Sequence, residues 1–259
     1  MKYALVNGNK IEAVKGVKGI CPSCGSELIA KCGEVNINHW AHKGTRNCDI
    51  WWENETEWHR QWKNHFPKEW QEIVHFDRRG EKHIADIKTD KDWVLEFQHS
   101  FINPEERNSR NKFYSKLVWV INGLRRKTDK VQFQKVLEES SRAPVGNVNI
   151  RQVNFPEESR LLKEWLNCGV PVFFDFYELN KSTLWFLLPL NIKEEAYLIR
   201  FSREEFVTVH NNNGFDELVY KLIPNIQNII LEYKRSISNR SVNNLLNCQT
   251  RKTIRRRRF

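Results

Sequence analysis

Apolar residues recur along the chain with two different periods. Residues 2–6 and 11–17 are rich in apolar positions and flank Asn7-Gly8-Asn9. Asn-Gly tolerates the positive φ of a tight turn, so this stretch predicts a hairpin. Trp58, Trp62 and Phe66 then fall at i, i+4 and i+8, one face of a helix, with Pro67 as its stop. Asn54 followed by Glu57 has the form of a helix cap. After Pro67 the period drops to two. Residues 72–76, 83–87 and 93–98 read as strands, separated by turns at 77–80 and 89–92. Residues 104–114 open on a proline and read as a helix. Residues 117–121 read as a fourth strand, closed by Asn122-Gly123. The order is helix, three strands, helix, strand.

Residues 142–149 combine Pro and Gly and read as a linker. Beyond it, residues 161–166 belong to a helix, and 170–177, 183–188 and 196–201 read as three short strands. Ser202 with Glu205 has capping-box form, and 218–233 predicts another helix. Three regions result: 1–50, small and polar; 51–145, with the helix and four strands; and 146–259, a C-terminal α+β region. The fold class is α/β, a mixed four-stranded sheet flanked by helices.

Composition narrows the class. The longest apolar run is Leu184–Leu190, far short of a membrane span of about 20 residues. The first residues lack the apolar core of a secretory leader, so a cytoplasmic protein with reduced cysteines is expected. Net charge is +10, and six of those charges lie in residues 251–259, leaving +4 elsewhere. That tail reads as a disordered arm that attracts phosphate. Seven of ten tryptophans and seven of eight histidines lie between residues 39 and 99, which marks that region for chemistry. Trp58 and Trp62 read as core; Trp40 and Trp51 are the better candidates for stacking on unpaired bases.

Four of six cysteines fall in the first 48 residues. Clustering in a chain without a leader favours a metal over disulfides. Two residues separate Cys21 from Cys24 and His39 from His42, a spacing that aims each pair at one ion. Four N and S ligands suit tetrahedral zinc, and a site with every position filled is structural. Cys32 and Cys48 are alternative ligands.

Asp86 ends one strand, and Glu96 and Gln98 share a face of the next. An acid within an apolar strand is costly unless paired or bound to a cation. Two carboxylates from adjacent strands suit magnesium or manganese, with water and a substrate phosphate completing the shell. Glu57 on the preceding helix offers a third. A polar strand face turned to solvent is the plainer alternative. Arg107, Arg110 and Tyr114 share one face of the next helix, and His59 and Lys63 lie close to Glu57. All five are candidates for contacting DNA, against the alternative of a solvated helix face.

These motifs carry a resemblance. Asp86 with Glu96-Phe97-Gln98, in this element order, resembles the PD-(D/E)xK nuclease superfamily. The string CPSC, HWAH, ETEWHRQWK, HIADI, LEFQHS, RNKFYSKLVWVIN resembles the competence protein CoiA-like family, over residues of about 13 to 123. The resemblance implies a restriction-endonuclease-like fold and a Mg²⁺- or Mn²⁺-dependent deoxyribonuclease acting in competence, recombination or defence. Asp86 and Glu96 take the metal-binding places, and Glu57 that of the first-helix acid, with Glu55 as its rival. Gln98 takes the place of the catalytic lysine; its amide can orient water but carries no charge. The alternative is a DNA-binding or recombination-accessory protein that kept the fold and lost turnover. A nuclease of RNA is a third reading, and an oligomer or protein partner is compatible with any of them.

Overall fold

A computed structural model describes residues 1–34, 37–44, 48–49, 51, 53, 55–177, 183–190, 192 and 194–256, with side chains to 240. Its first part is a small antiparallel sheet of β1 (Tyr3–Val6), β2 (Asn9–Glu12), β3 (Lys18–Ile20), β4 (Glu27–Lys31) and β5 (His39–His42). The strand order is β2-β1-β3-β4-β5. The expected hairpin is present: Val6 pairs with Asn9, and Asn7 (φ 49°) and Gly8 (φ 79°) make the turn. Trp40 is buried in this sheet's core and its indole N–H donates to the Ile11 carbonyl. It is therefore not a stacking platform for bases.

Helix α1 (Glu57–Lys63) follows. Its cap is Thr56, not Asn54, which lies outside the described residues. The Thr56 side chain accepts from His59 N–H while His59 accepts from Thr56 N–H, a capping box closed by histidine in place of the usual acid. Glu57 thus sits at the first position of the helix.

Next come β6 (Gln71–Phe76), β7 (Lys82–Lys88), β8 (Val94–Gln98), α2 (Pro104–Phe113) and β9 (Leu117–Asn122), in the expected order. The chain continues through α3 (Asp129–Glu138), β10 (Ser141–Arg142), β11 (Ile150–Val153), α4 (Arg160–Trp165), β12 (Val172–Asp175), β13 (Thr183–Leu187) and β14 (Ala196–Ser202). It closes with α5 (Arg203–Asn211), a short α6 (Phe215–Glu217) and the long α7 (Ile223–Arg256).

The four-stranded sheet expected from the sequence is part of a nine-stranded one, ordered β10-β11-β14-β13-β12-β9-β8-β7-β6. β8 and β9 run parallel, joined by the α2 crossover, and β12 pairs parallel with β9. The expected boundary at 145/146 therefore falls inside one sheet. Ala143 and Val145, in the supposed linker, are buried in its core. Local pattern reports that a strand exists but not which distant strand lies beside it. The centre of this sheet is covered on both faces. Trp62, Leu95, Phe97, Val118, Phe173 and Phe206 pack on one side; Val94, Trp119, Ile121, Phe133, Trp165 and Phe174 on the other. The tail read as disordered is helical backbone as far as Arg256. Among the described residues no helix is long and apolar enough to cross a membrane.

Candidate functional site

Two sites stand side by side. The first is built on the small sheet. Cys21 and Cys24 lie on the tight loop between β3 and β4, where Gly25 N–H donates to the Cys21 carbonyl (3.0 Å) and Gly25 takes φ +73°. Pairing of β4 with β5 sets His42 opposite Leu28. The His42 Nε2 to Cys24 Sγ distance is 3.3 Å, and Cys48 Sγ lies 3.5 Å from Cys21 Sγ. The ligand atoms of Cys21, Cys24, His42 and Cys48 all lie within 4.8 Å of one another. Three sulfurs and one imidazole nitrogen form a closed tetrahedral donor set, which can hold a structural zinc.

His39 is not in this set. On a strand, residues three apart point to opposite faces, so His39 and His42 of β5 cannot face one ion. His39 Nδ1 instead donates to the Ile37 carbonyl (2.9 Å). Cys48 supplies the fourth ligand, while the Cys32 thiol points to the Ala13 carbonyl. Burial resists a thiolate at Cys24, but hydrogen bonds from Ser26 and His42 outweigh it and bring its pKa down to about 6. Burial and the Cys21 thiol push Cys48 up to about 12, so cation binding there would release a proton.

The second site is a recess between α1 and strands β6, β7 and β8, with six carboxyls among its lining side chains against the cations of Lys63, Arg110 and the Met1 N-terminus. Its centre is where β7 and β8 part. Their pairing includes Ile87 with Leu95 and Lys88 with Val94. Beside this, the Asp86 carboxylate accepts the Phe97 N–H at 3.0 Å. Glu96 projects from β8 into the same recess. Its Oε2 takes Arg110 Nη1 at 3.0 Å, and its Oε1 is buried with no hydrogen bond. Burial, reinforced by the Asp86 charge and opposed by Arg110, raises its pKa to about 8.

Lys63 enters from α1, almost wholly buried. Its ammonium lies 3.0 Å from Asp86, 3.0 Å from Glu72 and 3.6 Å from Glu55. Burial works against its charge, but those three carboxylates outweigh it and hold its pKa well above the usual value. Glu72 has φ +48°, unusual for a residue with a Cβ. That turn lets its carboxylate accept from Lys2 N–H (2.7 Å) and Tyr3 N–H (2.9 Å). Backbone strain of this kind collects at functional sites.

The structure brings Asp86, Glu96, His59, Lys63 and Arg110 together, and excludes others. Glu57 is exposed, bonded to Gln61 (3.4 Å), and does not line the recess; its rival Glu55 does. Gln98 is buried outside the lining, its amide donating to the Ser100 carbonyl (3.3 Å). The residues expected to grip DNA are turned inward. His59, Lys63, Arg110 and Tyr114 are buried. Arg110 lies 5.5 Å from the Trp51 ring, and Trp51 itself is stacked on His83 rather than offered to a base. Arg107 donates to the Glu164 carbonyl and covers the Trp165 ring. The helical period placed these residues on one face but could not say that the face was internal.

Sequence reasoning passed over Asp49, Glu53 and Glu72, and it assigned Lys63 to DNA. One signal was available: Glu55, His59 and Lys63 recur every four residues beside the Trp58–Trp62 stripe. Asp49 joins His83 (2.8 Å) and the Ile84 N–H (2.8 Å). Glu53 accepts from the N–H groups of His99 and Ser100 and faces His59 Nε2 at 3.3 Å.

Apart from the His59 imidazole, the donors of the recess are carboxylate oxygens, as a hard cation prefers. They are gathered less tightly than the thiols: among the described residues, only the Cys/His group brings three or more ligand atoms within 4.8 Å. Magnesium commonly takes one or two carboxylates and leaves the rest to water and phosphate.

Residues 5–51 match the family model for the N-terminal domain of competence protein CoiA. That stretch is similar to CoiA. It spans the four cluster ligands and reaches Asp49 and Trp51, but ends before α1. No curated protein and no solved structure matches the chain.

Proposed function

We propose that the chain is a metal-dependent DNA nuclease with a restriction-endonuclease-like core, working in DNA processing related to competence. The observation that carries this reading is the meeting of Asp86 and Glu96 in a recess with an unsatisfied carboxylate oxygen and a buried ammonium group. The order α1-β6-β7-β8-α2-β9 is that of the PD-(D/E)xK superfamily, and the CoiA-like stretch supplies the competence context.

Asp86 and Glu96 would hold Mg²⁺ or Mn²⁺. When bound, the cation supplies an acidified water and neutralises charge on the scissile phosphate. The protein's own groups do the rest. Arg110 fixes the Glu96 carboxyl and is itself held by the Trp51 carbonyl and Glu106. Lys63 brings the positive charge that Gln98 lacks. Because Asp86, Glu72 and Glu55 keep it protonated, it acts as a fixed electrostatic group beside a phosphate and not as a base. Glu53 and His59 hold the start of α1, so Lys63 arrives at one position.

A second reading has its own observation. Lys63 already pairs with Asp86 and Arg110 with Glu96, as would suit a DNA-binding protein that no longer turns over. Cleavage of plasmid, single-stranded and branched DNA with Mg²⁺ or Mn²⁺, against a chelator control, separates the two. Metal-dependent cleavage supports the nuclease. DNA binding without cleavage under either metal supports the accessory protein.

A further inference from the structure

The two sites share one stretch of chain. Cys48 is a ligand of the thiol cluster, and the next residue, Asp49, lines the recess. From there Trp51, Glu53 and Glu55 follow along the recess wall. Each is tied to a group that shapes the acidic centre. Asp49 clamps His83 and Ile84 of β7, two strand positions from Asp86. The Trp51 carbonyl receives Arg110, whose other nitrogen holds Glu96. Glu53 caps the chain just past Gln98, and Glu55 sits 3.6 Å from Lys63. A second tie crosses at Lys82, whose ammonium donates to the Ser23 carbonyl on the Cys21–Cys24 loop. Among the described residues the small sheet shares no ladder with the large one, and Ile84 packs into the small sheet's core.

We infer that occupancy of the Cys21, Cys24, His42 and Cys48 cluster sets the affinity of the acidic recess for a hard cation, with Asp49 as the positioning residue between them. This rests on the reading of the recess as a cation site. The argument is one of preorganisation. A bound zinc fixes Cys48, hence the strap beginning at Asp49, hence the placement of Arg110 and Lys63 against Glu96 and Asp86. Without it, the strap loses its anchor at Cys48, and part of the ordering of Asp49, Trp51, Glu53 and Glu55 must be supplied when the cation binds. Soft-metal and hard-metal binding are then positively coupled, and the coupling is reciprocal.

The test uses the full chain and Mn²⁺ alone, its binding followed by electron paramagnetic resonance. Zinc-loaded wild type is compared with protein stripped of zinc, with Asp49→Asn and with Asp86→Asn. Zinc content and melting temperature are measured for each. The expected result is Mn²⁺ affinity weakened about tenfold or more by stripping. Asp49→Asn, still zinc-loaded, should fall to the same level and lose little more on stripping. If stripped protein unfolds, zinc-loaded Asp49→Asn decides alone. Mn²⁺ binding that Asp86→Asn abolishes, but that zinc removal and Asp49→Asn leave unchanged, overturns the coupling only. Wild type that binds no Mn²⁺ overturns the recess reading and the coupling with it.

Discussion

On the proposed reading of the recess as a cation site, Glu96 sets the pH at which the cation enters. In the folded protein it keeps its proton to about pH 8, against 4.5 for an ordinary glutamate. Between those values the native state binds more protons than the unfolded chain, so this group's contribution to stability falls as pH rises across that window. A cation competes with the same proton. Mn²⁺ affinity should therefore rise with pH by up to about tenfold per unit below 8, with proton release on binding. Glu96→Gln should abolish that release and flatten the decline of melting temperature between pH 5 and 8. Calorimetry in buffers of different ionisation enthalpy measures the first and thermal melts the second; an unchanged pH slope in the variant contradicts the assignment. Glu72 works in the opposite sense. Burial alone would raise its pKa, but Lys63 and the N–H groups of Lys2 and Tyr3 hold it at about 2. Its stabilisation is full above pH 4.5 and is lost as pH falls toward 2. At the other site the residue-level expectation concerns His39 and Cys48. His39→Ala should retain one zinc per chain, whereas Cys48→Ser should lose it or bind it far more weakly, as metal analysis of the purified variants will show.

At the scale of elements, α1 is the piece on which the site turns. It carries His59 and Lys63, and its apolar face is seated through the Trp58 and Trp62 indoles. Both N–H groups donate to Asp175 at the end of β12, at 2.8 and 3.0 Å, and Arg203 of α5 pairs with the same carboxylate at 2.6 Å. Asp175 is fully buried, so its charge is tolerable only with these partners. Asp175→Ala leaves Arg203 without its buried counter-charge and should cost about 3–5 kcal/mol in urea unfolding. A loss below about 1 kcal/mol would show that α1 is held by apolar packing alone. This also shows how far the sequence could be read. The segments from 57 to 122 were legible from their helical or alternating periods and the turn residues between them, although β8 and β9 are buried on both faces. The acid pair was legible because carboxylates are out of place in apolar strands. Asp175 was not, since its partners Trp58, Trp62 and Arg203 lie on elements distant in sequence. His39 was misassigned because its spacing was read without regard to its strand, where an odd separation reverses the side chain.

On the scale of the whole molecule, residues beyond 146 complete the sheet that carries the site and hold α1 against it. A fragment ending at 145 should expose β9 along the edge where β12 pairs. The basic end is a separate matter. Deleting residues 251–259 removes six positive charges. If they meet phosphates, DNA binding should weaken on all sequences and log K should fall less steeply with log salt. An unchanged slope would make the segment a bystander. The central claim is that phosphodiester chemistry occurs in the recess beside Lys63. Its most direct measurement is the rate of Mn²⁺-dependent plasmid nicking by wild type, Asp86→Asn, Glu55→Gln and Glu57→Ala, each checked for melting temperature. The account predicts that Asp86→Asn falls by about a thousandfold or more. It also predicts that Glu55→Gln is impaired and that Glu57→Ala cleaves like wild type. Cleavage that survives in Asp86→Asn and disappears in Glu57→Ala would contradict it.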